Sequence, residues 1–266
     1  MAQTVQRAID ILEFCSVKPR TLREISDMCG VHRTTALRLL QTLEPCGFVR
    51  KNQHGRYGVG FRLAALAESA LRQFDLRTVV HDHIEELSEK VGHTIQFAVV
   101  QDDHIVYVDK IEPADSIHLD TRIGGHVVVH TAGVAKAILA NSSDEIRARI
   151  LDRSGFQHYT DNTLTSRTAY DARLAETRRT GWAYDDGEYE DISNCIAAPV
   201  YDYAGDVAGA ISITALKPQH DIAALEALLP DLLATTDSVS HALGYMPSTG
   251  RTATRGTDHN VVSPVT

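Results

Sequence analysis

A chain of 266 residues, 43% of them hydrophobic, has enough apolar mass to bury a sizeable core, which excludes a disordered polypeptide and is most simply two domains with an ordered connection. The formal net charge is -9, yet residues 1–60 carry nine Lys or Arg against five acids, a local balance of +4 that leaves -13 for the remainder. An acidic body repels a polyanion, so any nucleic-acid contact belongs to the amino-terminal part.

No stretch is apolar for long enough to cross a bilayer, and MAQTVQRAIDILEF reads as an amphipathic helix rather than a secretory signal. The expectation is a cytoplasmic protein with no membrane partner. Cys15, Cys29, Cys46 and Cys195 lie at wide spacings, neither a zinc ribbon nor a dense disulfide framework, so reduced thiols are expected.

Taken in order, Val5, Ala8, Ile9 and Leu12 repeat at helical spacing and predict a first helix closed by Lys18-Pro19. Thr21 and Glu24 form a T-x-x-E capping box ahead of Leu22 and Ile25, opening a second helix that Gly30 turns. Ala36, Leu37, Leu40 and Leu43 then give one buried stripe on a third helix and leave Thr34, Arg38 and Gln41 on the other side. That outer face is slender, polar and basic, the composition a groove-reading helix needs, because Arg38 can reach guanine O6 and N7. Pro45, Cys46 and Gly47 stop the helix. Phe48–Lys51, a turn over Asn52–Gly55, and Arg56–Val59 read as a two-stranded ribbon with a basic tip. Residues 1–60 are therefore predicted to be a winged helix-turn-helix, with sequence contacts from the Thr34 to Gln41 face and phosphate contacts from Arg33, Lys51 and Arg56.

Phe61–Leu71 is rich in alanine and leucine with apolar residues nearly all round, so residues 61–75 are read as a linker helix that also dimerises. From residue 76 the pattern changes. Leu76–Val91 predicts a long amphipathic helix ended by Gly92; strands follow at Thr94–Gln101, His104–Ile111 and Ser116–Ile123. The small-residue run from Thr131 to Leu139 opens another helix, Ser142 with Glu145 caps the next, and Thr168–Thr180 is helical. Strands return at Gly181–Tyr189, Ile196–Asp202 and Val207–Thr214, and Ala223–Leu243 is a closing helix interrupted near Pro230. Residues 76–246 thus read as an α+β domain, an antiparallel sheet flanked by helices, and 247–266 as a disordered tail.

Three features point to a ligand pocket. Gly133 and its small neighbours leave backbone amides accessible at a positive helix end, which favours carboxylates. Asp185 and Cys195 bracket a connection able to fold over a small molecule. Ser212 and Thr214 share one face of a strand as hydroxyl donors, although the same hydroxyls would serve equally to satisfy sheet neighbours. An enzyme is the competing reading: His126 and His130 with Cys195 and Asp185 can be drawn as metal ligands or as a nucleophile with its base. Against it, the chain has no H-E-x-x-H, paired C-x-x-C, G-x-S-x-G, phosphate loop or dinucleotide fingerprint. No catalytic residue, metal or cofactor is expected; the alternatives are a metal- or thiol-dependent enzyme with an accessory winged helix, and a ligand-free protein-interaction module.

From Thr4 to Tyr245 the sequence resembles the IclR-type bacterial transcriptional regulators. The resemblance is carried by TVQRAIDIL, by TTALRLLQTLEPCGFV followed by GRYGVGFRLAALA, by VHTAGVAKAILA, and by DDGEYEDISNCIAAPVYD with GAISIT. It implies a GAF-like effector-binding domain after the linker helix, a homodimer that often pairs into a tetramer, operator DNA as partner, and control of a catabolic operon, expected to be repression, by a small organic acid. Thr35 joins the DNA-contacting set on this basis. The effector site it implies is lined by Leu119, Gly133, Val134, Asp185, Ser193, Cys195, Ser212 and Thr214. The chain departs from many relatives at Ser193, where they carry an apolar residue, at Val134, where they carry Ala, and at His32, where they have Pro.

Overall fold

Thr21 and Glu24 cap each other as their spacing implies. The Thr21 hydroxyl accepts from the Glu24 amide at 3.2 Å while the Glu24 carboxylate accepts from the Thr21 amide at 2.7 Å, opening α2 (Leu22–Met28). The computed structural model describes residues 3–73, 75–113 and 121–247, and the chain divides between Asp75 and Leu76 into two units.

In the first unit, α1 (Gln3–Val17), α2 and α3 (Arg33–Leu43) precede an antiparallel ribbon of β1 (Val49–Lys51) and β2 (Tyr57–Val59), then α4 (Arg62–Gln73). Ile11, Cys15, Ile25, Ala36, Leu40, Val49 and Tyr57 form its core. A bridge between Arg20 and Tyr57 ties the ribbon to the start of α2. The stripe expected on α1 is met only in part: Leu12 packs against this core and Ile11 and Cys15 are buried in it, whereas Val5 and Ile9 are 59% and 44% exposed. Both stripes have helical spacing, and only packing against the rest of the unit, Tyr57 of β2 included, chooses between them.

In the second unit five strands lie in the order β4-β3-β7-β6-β5, every neighbouring pair antiparallel. They are β3 (Thr94–Gln101), β4 (His104–Ile111), β5 (Ala183–Asp185), β6 (Ser193–Tyr201) and β7 (Val207–Leu216). Both faces are covered. On one, α5 (Leu76–Val91), α9 (Ile222–Glu226) and α10 (Leu229–Ala242) pack on Ile95, Phe97, Ile196, Ile211 and Ile213. On the other, α6 (Gly133–Asn141), α7 (Asp144–Leu151) and α8 (Arg167–Thr180) pack over Ala98, Ala183, Ala197 and Ala210. Alanines there let α6, itself buried from Gly133 to Ala140, approach the sheet closely.

Four expectations need correction or fall outside the described residues. The cap of α7 is Ser143, whose hydroxyl accepts from the Ile146 amide, while Ser142 turns back to donate to the Ile138 carbonyl. Strand β5 is three residues long, shorter than Gly181–Tyr189, because Asp186 onward leaves the sheet to form the Glu188 cluster described below. Residues 116–120 of the expected third strand, Leu119 among them, lie outside the described residues, as do 248–266 of the expected tail; residues 121–123 are not strand.

Candidate functional site

The helix α3 exposes Arg33, Thr34, Thr35, Arg38 and Gln41 while burying Ala36 and Leu40, so all five predicted contacts on this helix lie off its core face. Its cap is His32, whose ring Nδ1 accepts from the Thr34 amide at 3.4 Å and lies 3.0 Å from the Thr34 hydroxyl. The ribbon tip is pinned by Asn52, whose side-chain carbonyl accepts from the His54 and Arg56 amides at 3.0 Å, and by Gly55 at φ +74. Lys51 and Arg56 are both exposed, but they differ in commitment. Arg56 is drawn toward α2, 3.5 Å from Glu24 Oε2, whereas the Lys51 ammonium sits 5.4 Å from the Tyr57 ring centroid.

A cavity of about 380 Å³ lies in the second unit, where the alanine rows of the sheet give way to polar ones. Thr214 stands opposite Cys195 in the register and Cys195 opposite Asp185; one row along, Gln96 stands opposite Ser212. Gly133, Val134, Asp185, Ser193, Cys195, Ser212 and Thr214 all line this one cavity, so seven of the eight residues expected for an effector are brought together. Gly133 is there because only glycine fits: a Cβ would come within 2.8 Å of Cys195 Sγ and 3.4 Å of Ala197 Cβ. Ala132 caps α6 without a side-chain hydrogen bond, and the Gly133 amide instead donates to the Cys195 sulfur in the cavity wall.

Among the other lining residues are Gln96, Thr121 and Arg122, which sequence spacing missed, and His126, which it offered only for an enzyme. Gln96 is the organiser: its side-chain oxygen accepts from Thr214 at 3.2 Å and Ser212 at 3.5 Å, and its amide donates to Thr121. The two hydroxyls on β7 therefore both satisfy a sheet neighbour and line the cavity. Alternation along β3 could have flagged Gln96 as a polar residue on an otherwise buried strand.

Behind the cavity wall is a buried ionic cluster. Lys136, on α6 and fully buried, donates to the Thr131 carbonyl at 2.8 Å and the Tyr184 carbonyl at 2.9 Å, and pairs with Glu188 at 2.6 Å. Arg173 approaches the same Glu188 oxygen at 3.6 Å. Burial pushes Glu188 up to about 7, with Lys136 opposing. Burial likewise raises the Asp185 carboxyl, whose oxygen accepts from the Glu188 amide at 2.7 Å.

Of the four residues drawn as an enzyme site, His126, Asp185 and Cys195 line the one cavity, whereas His130 lies apart from it. Burial pushes the Cys195 thiol up to about 12, which keeps it protonated and a poor nucleophile. His130 is buried with Nε2 2.8 Å from the Gln157 carbonyl and lines a different hollow, beside Arg153 and Tyr159. Among the described residues no group of three or more His, Cys, Asp or Glu is placed to hold a metal ion, and no helix is long and apolar enough to cross a membrane.

Comparison with known proteins finds two family matches along the chain. Residues 4–53 match the IclR helix-turn-helix domain, and residues 68–241 match the bacterial transcriptional regulator IclR C-terminal family. The chain is 30% identical over 246 residues to the HTH-type transcriptional regulator XynR of Escherichia coli, covering 91% of this chain and 98% of that one. It is 31% identical over 217 residues to the transcriptional repressor IclR of the same organism, covering 80% and 79%. The crystal structure of the Agobacterium tumefaciens repressor BlcR shares the fold at a TM-score of 0.75 and 21% identity, covering 92% and 99%. A helix-turn-helix followed by an antiparallel α+β domain, matched along both parts, places this chain in the IclR family of bacterial transcriptional regulators.

Proposed function

We propose that this chain represses a catabolic operon by binding operator DNA through α3 and the ribbon, and that a small organic acid in the 380 Å³ cavity relieves or modulates that binding. The observation that carries the reading is the convergence, on one polar-floored cavity, of residues from α6, β5, β6 and β7. The start of α6, Arg122 and His126 supply a donor side suited to a carboxylate, and Ser212, Thr214 and Gln96 supply polar partners for the rest of the molecule. Residues 61–75 act as the linker between reader and sensor. Phe61 and Leu66, 80% and 44% exposed on the isolated chain, are the apolar surface through which two copies associate, so that two readers meet two half-sites. Homodimers, or pairs of them, in the cytoplasm are the working species.

An effector acts only through its differential affinity for two arrangements of the protein, typically about 1–3 kcal/mol of coupling. Ser212→Ala removes one cavity hydroxyl at a position 1% exposed to solvent. It is expected to weaken an acid found by thermal-shift screening of small carboxylates by about 2- to 10-fold. Operator retardation without the acid should be unchanged; if both fall together, the hydroxyl serves stability and the cavity assignment fails.

A further inference from the structure

We propose that His32 reads a base edge of the operator through its Nε2–H, in addition to capping α3; the inference rests on the reading of α3 as the DNA-contacting helix. A backbone N–H only donates, so the 3.4 Å contact from the Thr34 amide is met with Nδ1 as acceptor, the tautomer that carries its proton on Nε2. The Thr34 hydroxyl, 3.0 Å from the same Nδ1, then spends its proton on the ring and keeps only acceptor capacity. His32 and Thr34 are both exposed, and Nε2 has no partner among the described residues. The pair therefore presents a fixed donor beside a fixed acceptor at the first turn of the helix. Base edges in the major groove offer acceptors to such a donor, N7 on either purine, O6 on guanine and O4 on thymine.

Capping alone does not call for an imidazole, since serine or asparagine accepts the same amide bond at least as well. What the ring adds is reach and a second, oppositely polarised nitrogen, held in one tautomer by the helix it caps. Arg33 and Arg38, exposed on the same helix, add charge but no comparable tautomer-fixed donor at the first turn.

The test uses the full-length protein and a duplex selected by it from a random-sequence pool. His32→Ser keeps the cap and removes the ring. The expected result is an unchanged thermal midpoint, an unchanged affinity for random duplex, and about a tenfold loss on the selected duplex. In a base-pair substitution scan, the penalty at one position should vanish in the variant. Equal affinity of H32S and the parent for the selected duplex, or an equal loss on random and selected DNA, overturns the proposal. Should H32S melt earlier, H32N, an equally good uncharged cap, replaces it in the same comparison. Arg38→Ala separates the two levels of the argument: a loss with R38A but none at position 32 overturns only the role of His32, whereas no loss with either removes α3 as the reader.

Discussion

Lys136→Met is expected to destabilise the second unit by roughly 3–5 kcal/mol, because it leaves a buried carboxylate without its partner. The ammonium has no exposure and touches Thr131, Tyr184 and Glu188, so its removal orphans two carbonyls as well as an acid. Arg173, at 3.6 Å from Glu188, compensates only in part. Those same contacts hold together the start of α6, the strand β5 and the chain that leaves it, which carry Gly133, Val134 and Asp185 into the cavity. Effector response should therefore fall further than stability alone explains at temperatures where the variant is still folded. The double variant Lys136→Met with Glu188→Leu should recover part of the loss but not all, since the two carbonyls remain unpaired.

The cost depends on pH with a definite sign. Burial lifts Glu188 from its usual 4.5 to about 7 in the folded protein, so the folded state holds this proton more tightly than the unfolded chain. The stability it contributes is full below about 4.5 and is lost as the pH rises through about 7. Glu188→Gln should flatten that part of the stability profile. In Lys136→Met the carboxyl can escape its isolation by taking a proton, so the penalty should shrink when denaturation is repeated at mildly acidic pH. A penalty independent of pH would mean that the loss comes from the carbonyls and packing, not from a stranded charge.

Local signals were legible in the sequence where a single element decides the outcome. The T-x-x-E box, the helix Leu76–Val91 and the strands Thr94–Gln101 and His104–Ile111 have the limits their patterns imply. The reading failed where two local solutions are equivalent and distant packing selects one. On α1 two apolar stripes share the same spacing, and Ile11 and Cys15 win because they join Ile25, Ala36, Leu40, Val49 and Tyr57 in one core. Adjacent serines compete to cap α7, and Ser142 is already used by the end of α6. The cavity was visible as small and hydroxylated residues on three separate segments. Its organiser Gln96 and the Lys136–Glu188 pair were not, because their partners lie 25 to 118 residues away in the chain.

Arg38→Ala is expected to cost roughly 1–3 kcal/mol of operator affinity, a loss of about 5- to 150-fold, and to relax base preference at one position. The folded state has little to lose: Arg38 is exposed on α3, and alanine is a better helix former, so the thermal midpoint should hold. The loss should be concentrated on the selected duplex, as the proposed reading of base edges by the exposed face of Thr34, Arg38 and Gln41 requires. Lys51→Ala should behave differently, weakening every duplex about equally and lowering the slope of log affinity against log salt by about one. Arg56→Ala should do less than Lys51→Ala, since Arg56 must first give up its 3.5 Å approach to Glu24 and the Pro19 carbonyl before it can reach a phosphate. An Arg38 variant that keeps the parent's affinity and base preference in titrations at two salt concentrations would move sequence reading off this helix face. The opposite side of α3 cannot give this ordering among the three variants, because it is committed to the core through Ala36 and Leu40.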